Sequence, residues 1–213
     1  MNDTDKRLKA LGTAIPEILL PRSGTDLAKW AVIACDQFTQ DRGYWEQVKN
    51  TVGDKPSSLN LIFPEVYLED GGAEARDKRI RAIRNSMDAY IREEIFAPTR
   101  RCVVYLERGT PLHPKRRGLV LLVDLEQYDW APDSRPLIRS TEGTVPERLP
   151  PRIQIRRGAP LELPHVLLLI DDEKDRLIPA VGEAARKHPP LYETPLMMNS
   201  GAITGWAADT EEA

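Results

Sequence analysis

Cysteine and histidine are scarce in this chain, and that scarcity excludes several kinds of site. Cys35 and Cys102 are the only cysteines, and they form no C-x-x-C pair. A disulfide framework and a cysteine-rich zinc site are therefore ruled out. The three histidines, His113, His165 and His188, lie far apart, and two precede proline. None has zinc-type spacing with another ligand, and His165 reads as a structural hydrogen-bonder. Long hydrophobic runs are also missing. No stretch approaches the roughly 18 apolar residues of a membrane span, and the N-terminal MNDTDKRLKALGTAIPEILLP is too interrupted for a signal peptide. A soluble protein of the reducing cytoplasm is the expectation. An excess of positive charge is absent too, with 30 basic against 33 acidic residues and a net charge of −3. No global basic field points to nucleic acid. A P-loop, a G-x-G-x-x-G fingerprint and a G-x-S-x-G elbow do not occur.

Hydrophobic residues make up 41% of 213 positions, enough for a core. Residues 30–35, WAVIAC, form a short apolar run that predicts a buried strand. The next segment places Tyr44, Trp45, Val48 and Val52 at helical spacing and closes on Gly53. Residues 59–63 are a further apolar run, ended by Pro64. Residues 74–96 carry the clearest periodicity: Ile80, Ile83, Met87, Tyr90, Ile91 and Ile95 form one stripe of an amphipathic helix. Residues 102–107 and 119–125 predict two strands joined by a hairpin loop, on which the helix of residues 74–96 should pack. Residues 166–170 predict another strand and 175–187 a helix. Residues 201–206 have the pattern of a strand that begins within a loosely packed tail. Strands and helices alternate without regular βαβ spacing, which predicts an α+β fold with a mixed sheet. A single domain over residues 1–206 and a polar tail over 207–213 follow.

Proline is abundant, with 18 residues, and it concentrates in residues 137–165, LIRSTEGTVPERLPPRIQIRRGAPLELPH. Each proline removes a donor and restrains its neighbour, so a stiff, mostly extended strap is expected. The strap carries Arg139, Arg148, Arg152, Arg156 and Arg157 with Glu142, Glu147 and Glu162. Guanidinium groups suit planar recognition of phosphate or carboxylate. The competing reading has each strap arginine tied to a glutamate or carbonyl, with little net effect. Within the strap, Gly143 lies between the hydroxyl residues Thr141 and Thr144, a pattern compatible with an oxyanion nest. Arg139, Arg148 and Arg152 are the candidate phosphate ligands with Thr141 and Thr144, and Glu142 is a candidate base.

Elsewhere, Asp36 and Gln37 follow the apolar run at 30–35, where polar residues border pockets. Asp36 is a second candidate catalytic carboxylate and Gln37 a pocket residue. Cys35 reads as a buried structural thiol, because the neighbouring Asp36 opposes thiolate formation. Asp171, Asp172 and Asp175 have the chemistry to hold Mg²⁺, but helix initiation explains them better, and no protein-bound metal site is assigned. Lys115, Arg116 and Arg117 read as a solubilising hairpin tip.

Five segments carry a family resemblance: AVIACDQFTQDRGYWEQV, SSLNLIFPEVYLE, GLVLLVDLEQYDW, the strap continued through HVLLLIDD, and LYETPLMMNSG. Together they resemble the bacterial family called domain of unknown function 1015. The resemblance implies members about twice this length, with a second half carrying an Asp-Gly-Asn-His type motif. That motif is similar to a phosphate-handling box of the ParB and sulfiredoxin superfamily, which includes kinases of free serine. It does not occur here, so the resemblance implies the front half of such a protein, either a split gene product that works with a complementary C-terminal-half protein or a truncated one. Two functions follow as expectations. The first is part of a phosphotransferase handling a small-molecule phosphate ligand, using ATP or ADP with Mg²⁺. The second is a non-catalytic module that binds an anionic ligand or a partner subunit.

Overall fold

The computed structural model describes residues 2–129, 131, 133–139, 143 and 145–208. Along the chain come α1 (Asp3–Ala10), β1 (Thr13–Ala14), β2 (Glu17–Ile18), α2 (Leu27–Trp30), α3 (Arg42–Val52) and α4 (Gly72–Arg92). After these follow β3 (Arg100–Arg101), β4 (Val103–Gly109), β5 (Arg116–Val120), β6 (Leu122–Val123) and α5 (Leu149–Arg156). The chain then forms α6 (Leu177–Ala185), β7 (Tyr192–Pro195) and β8 (Ala202–Ala208). The main sheet has the order β5-β4-β8-β7, and short ladders join β1 to β6 and β2 to β3. The class is α+β. Every one of these ladders is antiparallel, however, where a mixed sheet was expected. The short link from β4 to β5 can only reverse the chain, which dictates antiparallel pairing.

β4 alternates between two cores, as the period of a strand requires. Val104 clusters with Cys102 and Ala207 on one face. Tyr105 faces the other way, against Ala185, Ile178 and Val181 of α6. A Cβ at Gly182 would lie 2.5 Å from the Tyr105 ring, so the ring rests on bare helix backbone. The phenol ends in an ionic cluster. Tyr105 donates to Glu107 Oε1 at 2.7 Å, Arg186 Nη1 donates to the same oxygen at 2.6 Å, and Lys115 Nζ lies 3.1 Å away. Burial, reinforced by the Glu107 carboxylate, pushes the Tyr105 phenol up to about 12. Burial opposes ionisation of Glu107, but its bonds from Tyr105 and Lys115 and the nearby cations hold it below the usual carboxylate range.

The helix expected over residues 74–96 is α4, but it does not pack where the pattern placed it. Ile80, Ile83, Met87 and Tyr90 are buried against Leu61 and Phe63, with Ile155, Ala159, Leu161 and Leu163 alongside. α6 covers the sheet instead. The Tyr90 hydroxyl anchors α4 to the Ser58–Leu61 turn, accepting from the Ser57 amide at 3.0 Å and from Asn60 Nδ2 at 2.9 Å. Ile91 does not belong to the stripe. One residue beyond Tyr90 is about 100° around the helix, and Ile91 is 44% exposed. Ile95 lies past the helix end and packs on the same core from there.

Four further expectations are corrected. Residues 31–35 are irregular rather than a strand. The Asp26 side chain caps α2, which draws Trp30 into the helix, and the following backbone bonds to Ser58 and Glu65 rather than to a ladder. Residues 166–170 are likewise not a strand, and their side chains are exposed, Leu167 by 79% and Leu169 by 87%. Their apolar composition suits a sheet, but no described strand lies beside them to complete a ladder. The strap is not mostly extended either, since LPPRIQIR forms α5. Pro150 and Pro151 fall in its first turn, where amides have no intrahelical acceptor and proline is tolerated. Its C-terminal carbonyls are taken by Arg84, whose Nε donates to Ile155 O at 3.5 Å and whose Nη2 donates to Gln154 O. At the other end of the chain, β8 is an interior strand with Ala207 and Ala208 buried, not a loose tail. Residues 209–213 lie outside the described set.

Two measurements check this architecture. In denaturant unfolding, Ile83→Ala should cost about 2–5 kcal/mol, whereas Ile91→Ala should change stability by only about 0.5 kcal/mol. Because the Glu107 carboxyl is depressed in the fold, its contribution is present above the unfolded carboxylate range and lost as pH falls through the folded value. Glu107→Gln should therefore flatten the stability–pH curve below about pH 4.

Candidate functional site

The residues singled out from sequence do not share a single cluster of described side chains. Thr141, Glu142 and Thr144 lie outside the described residues, as does the Arg148 side chain. Arg139 is exposed, and its Nε donates to the Pro136 carbonyl at 3.3 Å. Arg152, carried by α5, forms an ion pair with Glu65. Arg156 pairs with Glu162 and donates to the Pro164 carbonyl at 3.0 Å. Asp36 and Gln37 are both exposed, with the Gln37 amide 3.5 Å from Asp36 Oδ1.

One grouping does form around Cys35. Its carbonyl accepts from the Glu65 amide at 2.9 Å, and Glu65 reaches across to Arg152. Burial pushes the Cys35 thiol up, the charges of Asp36 and Glu65 add to that, and Arg152 opposes it. A thiol held protonated is a poor nucleophile. The acidic turn at 171–175 initiates a helix: Asp172 Oδ2 accepts from the Leu177 amide at 2.7 Å. Among the described residues no group of three or more His, Cys, Asp or Glu side chains could hold a metal ion.

A different place in the fold has the features of a binding site. Between α3 and the β4–β8 ladder lies a cavity of about 170 Å³. Its walls are apolar, with Ile33, Val48, Leu196, Met197 and Ile203. Three polar side chains enter it: Arg108, Tyr44 and Ser200.

Each wall has a local cause. The Asp41 side chain accepts from the Tyr44 amide at 2.9 Å and so caps α3, which fixes the turn that presents Tyr44 and Val48. The Tyr44 ring is further held by stacking on Phe38, with centroids 4.0 Å apart. Arg108 stands directly opposite Ile203 in the β4–β8 register. Ser200 comes from a tight turn between β7 and β8. Leu196 N donates to Gly201 O at 2.8 Å and Ser200 N to Met197 O at 3.1 Å. Met198 and Asn199 both adopt left-handed backbone, with φ of 54° and 55°. For methionine that conformation is uncommon.

The electrostatics of the cavity are unbalanced. Arg108 Nε is buried and has no hydrogen-bond partner among the described residues. Arg108 is also the one charged residue among the described residues lining the cavity. Burial pushes the Tyr44 phenol up, while hydrogen bonding to Ser200 and the charge of Arg108 counter it. Most buried donors in folded proteins are paired, so an unpaired guanidinium nitrogen calls for an explanation. One cation and two hydroxyls, set in apolar walls, are suited to receive an anion.

Sequence reasoning missed Arg108, although a signal existed. Val104, Leu106 and Arg108 share a face by the period of two, so a charge is placed on an inward-facing row. The turn of Ser200 was visible only as part of the LYETPLMMNSG segment.

Fold and cavity together define an antiparallel α+β protein with an anion-competent pocket on the sheet face opposite α6. The chain belongs to the family described as protein of unknown function (DUF1015), whose model matches residues 19–213. No curated protein and no solved structure matches it. The family match lends no support to a likeness with the ParB and sulfiredoxin superfamily. Among the described residues no helix is long and apolar enough to cross a membrane.

The raised Cys35 thiol sets a reactivity test. Alkylation by iodoacetamide, read by mass spectrometry, should be slower at pH 7 than for a free thiol and should accelerate as pH rises above about 9. Arg152→Ala removes the opposing charge and should slow it further.

Proposed function

We propose that this protein is a binding module for a small anionic ligand, which it holds in the Arg108 pocket. The observation that carries this reading is Arg108, the one charged residue among the described residues lining an apolar cavity, beside Tyr44 and Ser200. A guanidinium set among apolar walls is stabilised by a bound anion. No carboxylate, imidazole or thiol is among the described residues lining the cavity. The lining is therefore equipped for binding more than for proton transfer. A volume of about 170 Å³ is also below the roughly 300–1,000 Å³ of pockets for drug-sized ligands, which favours a metabolite smaller than ATP or ADP. Cys35 and Cys102 are not joined in a disulfide, which suits a reducing cytoplasm.

Calorimetry and thermal shift with acetate, inorganic phosphate, phosphoserine, ADP and ATP test this reading. At least one small anion should bind saturably, and Arg108→Leu should remove the binding while leaving the fold intact by circular dichroism. The nucleotides should bind no better than inorganic phosphate. If wild type and Arg108→Leu respond alike to every anion, the pocket has no such role. Tight ATP binding that survives Arg108→Leu but is lost with Arg139→Ala would instead favour the phosphotransferase reading through the strap.

A further inference from the structure

We infer that the preferred ligand of the Arg108 pocket is a short branched-chain monocarboxylate rather than a phosphate. This inference rests on the anion-binding reading and adds the chemical class of the ligand.

Charge stoichiometry is the first argument. Among the described lining residues Arg108 supplies a single positive charge, so a monoanion leaves the cavity neutral. A phosphomonoester carries close to two negative charges at neutral pH, and the second would be left uncompensated between apolar walls. Geometry is the second. A guanidinium presents donors in a planar fork that fits the two coplanar oxygens of a carboxylate, as it also fits a phosphate edge, and Arg108 is the guanidinium that lines the cavity. The Tyr44 hydroxyl, hydrogen-bonded to Ser200, then supplies a donor for a remaining carboxylate lone pair. Shape is the third. Val48, Ile203 and Leu196 offer branched aliphatic surface to the body of the ligand, and the cavity of about 170 Å³ suits a chain of a few carbons.

The turn that carries Ser200 is held close to β4: Gly201, with φ of 96°, sits against the Gly109 carbonyl, where a Cβ would approach to 1.9 Å.

The test is calorimetry on the full chain with isovalerate, acetate, isovaleramide and inorganic phosphate. Isovalerate should bind at least about ten-fold more tightly than each of the other three, the scale expected for one hydrogen bond to a charged group. Arg108→Lys keeps the charge without the fork and should weaken isovalerate by about ten-fold, whereas Tyr44→Phe should weaken it several-fold. Arg92→Leu, exposed at the end of α4 and not among the residues that line the cavity, should leave it unchanged. If phosphate binds as tightly as isovalerate and both are lost in Arg108→Leu, the carboxylate preference is wrong while the anion site stands. Equal binding of isovalerate and isovaleramide would overturn the role of the guanidinium. Absence of binding by all four, in protein shown folded by circular dichroism, would overturn the ligand class and leave the broader reading to the nucleotide and phosphoserine titrations.

Discussion

The contact between Gly109 and Gly201 is the constraint on which the functional half of this fold depends. Two backbones meet there at a distance that no side chain tolerates. That closeness sets the register in which β8 lies on β4, with Gly109 opposite Ala202 and Arg108 opposite Ile203. It also forces the preceding residues into a cramped turn, with Met198 and Asn199 in left-handed backbone. Strain of this kind persists only where surrounding contacts over-determine it, and it clusters at ligand sites. Here it brings Ser200 and Met197 over the same cavity that Arg108 enters from the sheet.

The two faces of β4 treat charge in opposite ways. On the α6 face Glu107 is surrounded by Tyr105, Arg186 and Lys115, so its charge is answered from within the protein. A cluster of that kind holds α6 on the sheet and leaves the Glu107 charge neutralised from within the protein. On the opposite face Arg108 is one residue further along, and its Nε has no answering acceptor among the described residues. The other arginines described above resemble the first case. Arg42 pairs with Asp70, Arg101 with Asp5, Arg117 with Asp175 and Arg152 with Glu65. Exposed pairs among them contribute little to stability. Arg76 Nε is, like Arg108 Nε, buried without a partner among the described residues, but Arg76 does not line the cavity.

How far this site and fold could be read in the amino-acid pattern depends on the range of the interactions involved. α3 was legible down to its end, because Gly53 terminates it and Trp45, Val48 and Val52 recur at helical spacing, whereas its Asp41 cap emerged only in the structure. The buried face of α4 was legible for the same reason, apart from Ile91, whose angular position lies off the stripe. The β4–β5 hairpin was visible from two Val- and Leu-rich runs flanking a short polar loop. By contrast, residues 31–35 and 166–170 have strand composition but no strand structure. Strand formation needs a neighbour to complete the ladder, and composition carries no information about whether one arrives. The strap was misread because proline was counted without regard to position: in the first turn of α5 it removes nothing the helix uses.

Candidate residues divide along the same line. Arg139, Arg148, Arg152 and Glu142 stood out because they are close in sequence, yet Arg139 and Arg152 bond to different partners in different places. Arg108, Tyr44 and Ser200 are far apart in the chain and meet only in the folded protein. Helix limits, capping and the inward row of a strand follow from contacts within a few residues, so pattern alone is enough to specify them. Which helix covers the sheet, and which arginine is left without an acceptor, is decided by contacts between distant segments. Those depend on how the layers fill space around one another, and no local pattern encodes that competition.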